Sequence, residues 1–297
     1  MLDLKKVEGK IICIYGPTAS SKSKLAIEFA QKIGGVIINA DSMQIYKDVP
    51  ILTSQPTEHE KEALTHQLYG MANLTTKFSV NEWLKLAINQ INATRKLGLS
   101  PILVGGTGLY FLSLIRGIAE IPQIEQTTKD YVRSLAAKSP QVGVHKILID
   151  YDSELAQKVS PNDTVRVLRG LEVMIQTGKS ILEWQKNNAK FFAETEFFKV
   201  YLCPPREKLY SNINQRFLQM LTKGVEDEVR AVFVKHEYQS IVPKIIGLST
   251  IRDYIMHQKD LGTMINEVQK LTRNYAKRQY TWFNNQLKHD VVVDNIF

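Results

Sequence analysis

Apolar residues fall along this chain in two rhythms. Unbroken runs at Ile11–Tyr15, Val36–Ile38 and Pro101–Val104, and Val200–Cys203 after Lys199, have the length and β-favouring character of strands buried on both faces. Between them the apolar positions recur every three or four residues. Leu25, Ile27, Phe29, Ala30 and Ile33 form one such stripe, and Val80, Trp83, Leu84, Ala87, Ile88 and Ile91 a clearer one, with Ser79 or Asn81 placed to cap it. The spacing also predicts helices over 58–68, 109–115, 206–222, 225–236 and 261–284, and loop over 43–56. Strands that alternate with helices and run into small-residue turns imply a doubly wound parallel sheet.

From about residue 120 the rhythm changes. Helical stripes at 131–137, 152–158, 165–177 and 181–185 dominate, a strand signal is confined to 145–149, and Pro122, Pro140, Pro161 and Gly178 punctuate the stretch. The expected organisation is an α/β core of the phosphate-loop NTPase type, built from 1–120 and 199–297. A mostly helical insertion over 121–198 interrupts it.

Candidate chemistry sits where the strands end. Gly16-Pro17-Thr18-Ala19-Ser20-Ser21-Lys22-Ser23 joins the first strand to a helix and resembles the phosphate-loop pattern G-x-x-x-x-G-K-[ST]. Small residues there let backbone N–H groups curl around phosphate oxygens, with the helix N-terminus and Lys22 adding positive charge. The Ser23 hydroxyl is a ligand for Mg²⁺. Ser21 stands where the pattern has its second glycine. If that position requires positive φ, its side chain costs roughly 1–2 kcal/mol. The second strand ends in Asn39-Ala40-Asp41-Ser42, which puts a carboxylate on the ligand edge of the sheet. The third runs into Gly105-Gly106-Thr107-Gly108, where three glycines in four residues permit close backbone approach.

Composition narrows the field. With 297 residues, 44% hydrophobic and 23% charged, the chain is long enough to bury a core without disulfides. Cys13 and Cys203 read as thiols of buried strands, and the six histidines show no metal-ligand spacing. No apolar run approaches the ~20 residues that span a bilayer, and the first ten are too charged for a signal peptide, so a cytoplasmic protein is expected. A net charge of +8 suits a polyanionic partner, nucleic acid ahead of a membrane surface. On the helix over 261–284, Leu261, Met264, Ile265, Val268, Leu271, Tyr275 and Trp282 are expected on one side. Lys270, Arg273 and Lys277 are expected on the other, either as a solvated face or as a stripe tracking a nucleic-acid backbone.

A phosphate loop by itself marks an ATP- or GTP-using enzyme. Six motifs in order say more: Gly-Pro-Thr-Ala-Ser-x-Lys-Ser at 16–23, Asp-Ser-Met-Gln-Ile-Tyr at 41–46, Gly-Gly-Thr-Gly-Leu-Tyr at 105–110, Pro-Asn-Asp at 161–163, Pro-Arg-Glu-x-Leu-Tyr at 205–210, and Thr-Arg-Asn-Tyr-Ala-Lys-Arg-Gln-Tyr-Thr-Trp-Phe at 272–283. Together they resemble the tRNA dimethylallyltransferase family through nearly the whole chain.

The resemblance implies transfer of a dimethylallyl group from dimethylallyl diphosphate to N6 of the adenosine 3′ to the anticodon, with Mg²⁺ as cofactor and the tRNA anticodon stem-loop as partner. It implies Asp41 as general base, Thr107 beside the reacting centre, and Lys22, Ser23 and Arg216 on diphosphate and Mg²⁺. It further implies tRNA contacts from Asp41, Ser42, Met43 and Gln44, and from Val165, Arg166, Val167, Leu168 and Arg169. The insertion would be a lobe that clamps the stem, and the protein a monomer. The chain departs from the family pattern at Ser21, at Gln55 where Lys is usual, at Ser160 for His, at Val165 for Gln, and at Leu248-Ser249 for a Tyr and a basic residue. Three other readings stay open: a phosphate-loop kinase, a prenyltransferase acting on a free adenine nucleotide, and an RNA-binding family member that has lost catalysis.

Overall fold

The computed structural model describes residues 6–138 and 143–294. Its strands are β1 (Ile11–Tyr15), β2 (Gly35–Asn39), β3 (His66–Gln67), β4 (Ser100–Gly105), β5 (Ile118–Ala119), β6 (Asn188–Ala189), β7 (Phe197–Leu202) and β8 (Val291–Val293). Six of them form one sheet in the order β3-β2-β4-β1-β7-β8. Every pairing in it is parallel, and β1 lies at its centre, with Ile12 opposite Ile102 on one side and Phe198 on the other. β1 is apolar throughout because both faces are covered, and all five of its side chains are fully buried.

Alternation along β1 divides the core. Ile12 and Ile14 face a cluster with Ala26 and Phe29 of the helix Lys22–Ile33, together with Ile37, Ile102, Val104 and Val200. Tyr15 turns to the opposite face and stacks on Phe283 of the helix Leu261–Gln286, with ring centroids 5.0 Å apart. The helix Val80–Lys96 starts at a capping box made by Ser79 and Glu82. Its Trp83 stacks on Tyr110 and donates from Nε1 to the Asn39 carbonyl at 2.8 Å.

The chain divides into two compact units, one of Met1–Ile115 and Phe192–Phe297, the other of Arg116–Phe191. The expected limits, 120 and 199, fall a few residues later. β5 and β6 pair antiparallel within the second unit. That unit packs Val132, Leu148, Leu155, Ala156, Val167 and Leu171 into a core of its own. The expected strand over 145–149 is instead part of the helix Val144–Tyr151, because Val144, Ile147 and Leu148 meet that core at helical spacing. Asp163 of the Pro-Asn-Asp motif caps the helix Thr164–Thr177 by accepting from the Arg166 amide at 3.2 Å. Pro140, one of the expected breaks, lies outside the described residues.

Other differences have local causes. The helix expected over 58–68 ends at Ala63, and His66–Gln67 pairs with β2 instead. Cys203 lies just past β7 and is partly exposed, and both cysteines are free thiols. The stripe on Leu261–Gln286 is rotated from the expected one. Met264, Val268, Gln269, Ala276, Gln279 and Phe283 are buried, whereas Leu261 and Leu271 are exposed. Two buried glutamines in the true stripe disguised it. The helix Leu248–Ile255 was too short to stand out from the pattern.

Candidate active site

The C-terminal ends of β1, β2 and β4 open onto one cavity of about 880 Å³. After β1 the chain makes the phosphate loop. At Gly16 an added Cβ would collide with the Leu202 carbonyl oxygen, so only glycine lets the loop leave the sheet there. Ala19 and Ser21 both take left-handed conformations, φ 62° and 65°. The conditional cost at Ser21 is therefore incurred in this loop. Ser20 is buried, and its hydroxyl has no hydrogen-bond partner among the described residues. An unsatisfied buried donor inside a phosphate loop is a position prepared for an acceptor from a ligand.

Lys22 lines the cavity and donates to the Pro17 carbonyl at 2.7 Å. Burial pushes its ammonium down to about 7, with Asp41 acting against the shift and Arg216 adding to it. Arg216, from the helix Arg206–Thr222, donates to Thr18 Oγ1 at 2.7 Å, and Asn212 one turn earlier donates to the Ala19 carbonyl at 3.2 Å. Burial also lowers the Arg216 guanidinium, to about 10. Both cations line the same cavity, where an incoming polyanion would offset their mutual repulsion.

Asp41 is held from β2. Fully buried Asn39 accepts the Asp41 amide at 2.8 Å and donates to the Asp41 and Leu68 carbonyls, each at 3.0 Å. The Met43 amide donates to Asp41 Oδ1 at 3.0 Å, which leaves Oδ2 as the carboxylate's second acceptor. Thr107 Oγ1 accepts from the Ser42 amide at 2.8 Å and donates to Ser42 Oγ at 3.1 Å, tying the turn after β4 to the turn after β2. Gly105 allows this approach, since a Cβ there would overlap the Ala40 carbonyl. Gln44 lines the cavity and donates to the Thr53 and Ser54 carbonyls at 2.9 and 2.7 Å. Gln55, in place of the usual lysine, bonds the Tyr46 carbonyl at 2.8 Å.

A second, smaller cavity of about 70 Å³ adjoins the first. Thr18, Asp41, Thr53, Arg216 and Met220 line both. The rest of its wall is largely apolar: Leu52, Ile213, Phe217, Ile245, Ile246 and Val268, with Tyr275 at one side. Burial raises the Tyr275 phenol, so it stays a hydrogen-bond donor at neutral pH. A carboxylate and a guanidinium thus stand at the seam between a phosphate-type site and a hydrocarbon-type site.

The sequence model of the IPP transferase family matches residues 44–286. The chain belongs to the IPP transferase family. It is 40% identical to the tRNA dimethylallyltransferase of Pelagibacter ubique, over 97% of its own length and 93% of that protein's. It is 37% identical to that of Rickettsia bellii, over 96% and 91%. Among solved structures it is similar to the tRNA isopentenylpyrophosphate transferase of Bacillus halodurans, at 30% identity, 96% and 90% coverage and a TM-score of 0.67. A eukaryotic dimethylallyltransferase acting on tRNA gives 28% identity, 96% and 73% coverage and a TM-score of 0.83.

In this IPP transferase the phosphate loop, Asp41, Gln44 and Arg216 share one cavity, and Thr107 lies just behind them. Lys270 and Lys277 are exposed on the helix Leu261–Gln286, while Arg273 is partly buried and donates to Asn214 Oδ1 at 2.7 Å. Residues 165–169 belong to the second unit. Val165 and Arg166 are exposed, but Val167 is a core residue whose side chain does not reach solvent. Sequence reasoning passed over Gln279. Its Oε1 accepts the Thr18 amide at 2.8 Å and its Nε2 donates to the Gly106 carbonyl at 2.8 Å. The available signal was a glutamine in the buried stripe of an otherwise apolar face. Asn39 was likewise passed over, as the one polar residue ending an apolar strand.

Proposed function

We propose that this IPP transferase family member transfers a dimethylallyl group from dimethylallyl diphosphate to N6 of the adenosine 3′ to the anticodon of tRNA, releasing diphosphate. The observation that carries this reading is the seam itself. Thr18, Asp41 and Arg216 border a polar phosphate-loop cavity and an apolar one together. The apolar space is small, about 70 Å³, and opens beside the phosphate-type cavity, which suits a short hydrocarbon chain carried on a diphosphate.

In this reading the phosphate-loop amides, the Ser20 hydroxyl, Lys22 and Arg216 take the diphosphate. N6 attacks C1 of the dimethylallyl group, and the C1–O bond breaks with its electron pair passing to diphosphate. The N6 proton passes to Asp41, which makes a poor nucleophile adequate. Lys22 and Arg216 stabilise the charge that develops on the departing oxygen. Thr107 fixes the Asp41–Ser42 turn beside the reacting centre. The adenosine leaves its stack to reach the cavity.

The donor set also fits Mg²⁺. Among the described residues no cluster of acidic, histidine or cysteine side chains could hold a metal alone, whereas Ser23 lines the cavity at the first turn of its helix. Ser23 Oγ, the donor's phosphate oxygens and water would hold the ion, which when bound neutralises charge on the leaving group.

The tRNA contacts are assigned to the exposed Lys270 and Lys277, with Arg273, Ser42, Met43 and Gln44, and to Arg166 and Arg169. No described helix is long and apolar enough to cross a membrane. The working form is a cytoplasmic monomer.

The test is transfer of a labelled dimethylallyl group to unmodified tRNA carrying adenosine 3′ to its anticodon, with Mg²⁺, for wild type and Ser21→Gly. Transfer by wild type is expected. Transfer to AMP but not tRNA, or ATP bound more tightly than dimethylallyl diphosphate, would overturn the reading. Salt-sensitive tRNA binding with no transfer from either protein would leave only an RNA-binding role.

A further inference from the structure

The wall between the two cavities is a loop, and one helix grips it. Glu228, in the first turn of the helix Val225–Lys235, accepts the Ile51 amide at 2.7 Å and the Leu52 amide at 2.8 Å, one on each carboxylate oxygen. At the far end of the same helix, Lys235 and His236 pair with Asp48. The loop is thus fixed at both ends of its turn by one rigid element. Burial raises the Glu228 carboxyl, and the two amide donors act against that shift. A half-buried carboxylate spent on two backbone amides has a geometric task.

Leu52 shows what that task is. It is 8% exposed and lines the apolar cavity, while its neighbour Ile51 lines the polar one and Thr53 lines both. Its place is set by its own amide bond to Glu228. With Phe217 and Met220 it closes a space of about 70 Å³. We propose that Glu228 is a positioning residue for donor selection: by seating Leu52 it closes the apolar cavity to isoprenyl groups longer than dimethylallyl.

This rests on the transferase reading above. The experiment compares kcat/KM for dimethylallyl and geranyl diphosphate with the same tRNA in wild type, Glu228→Gln, Leu52→Ala and the double variant. The ratio of the two donors is independent of how much protein is folded, so general destabilisation does not move it. Glu228→Gln keeps the size of the side chain but only one acceptor oxygen, and should shift the ratio toward geranyl by roughly tenfold. Leu52→Ala should shift it at least as far. The double variant should go no further than Leu52→Ala, because Glu228 acts through Leu52. An unchanged ratio in Leu52→Ala, or in folded Glu228→Gln, overturns the inference while wild-type transfer preserves the proposed function. If Glu228→Gln does not fold, Leu52→Ala alone decides. Wild type that transfers neither group overturns both.

Discussion

Thr18 and Gln279 stand at opposite ends of the chain, yet the Thr18 amide donates to Gln279 Oε1 at 2.8 Å. The Nε2 of the same glutamine donates to the Gly106 carbonyl at 2.8 Å, so the C-terminal helix pins the phosphate loop to the turn after β4. Gln279→Ala should strand a backbone donor and a backbone acceptor, at about 1–3 kcal/mol each. The expected outcome is a lowered Tm and a raised KM for the donor, read by calorimetry and steady-state transfer.

Asp41 is presented by Asn39 with one carboxylate oxygen left to act. Asp41→Asn should lower the rate of the chemical step by roughly 10²–10⁴. Affinity for tRNA should stay near normal. Single-turnover transfer checks the first and filter binding the second, and an unchanged rate removes Asp41 from the role of base.

The Lys22 ammonium sits at about 7 in the free protein. A bound diphosphate favours the charged form and raises that value, so binding takes up a proton above neutrality. Diphosphate affinity is therefore greatest below pH 7 and falls as pH rises through 7. Lys22→Arg should flatten this dependence, leaving only the titration of diphosphate itself. Calorimetric titrations in buffers of different ionisation enthalpy measure the proton uptake directly.

Ser21 adopts φ 65° without the freedom of glycine. Ser21→Gly relieves roughly 1–2 kcal/mol of backbone strain. Against that stands the added entropy of an unfolded glycine, so a net gain of about 0.5–1 kcal/mol is expected. Urea unfolding measures it.

Lys270 and Lys277 are exposed on one face of their helix, whereas Arg273 is engaged by Asn214. Lys270→Ala with Lys277→Ala should reduce the slope of log affinity for tRNA against log salt by about 2. An unchanged slope returns that face to ordinary solvent contact.

Hydrophobic rhythm carried most of the architecture. β1, β2, β4 and β7 are inner strands of the sheet and rich in apolar residues, broken in β7 only by Lys199, and such runs are what the pattern detects. β3 and β8 are edge strands of two and three residues, too short to register even though β8 is all valine. The phosphate loop, Asp41 and the glycine turn were legible because their chemistry is local. Gln279, Asn39 and Glu228 were not. Gln279 and Glu228 act on backbone groups distant in sequence, and Asn39 ties Asp41 to distant Leu68; one amide or carboxylate among many reads as surface until the chain is folded. Val167 was misjudged for the reverse reason, since its neighbours Val165 and Arg166 do face solvent.

The sheet's centre is laid down first and completed late. β1 precedes the second unit, but its neighbour β7 follows only after that whole unit has been synthesised, and β8 closes that side later still. During synthesis one edge of the most apolar strand in the protein waits unpaired. A nascent chain in that state offers its backbone amides to any other exposed strand. Truncation before Phe197 should therefore cost more than a lost element: it leaves the middle of the sheet open as an adhesive edge.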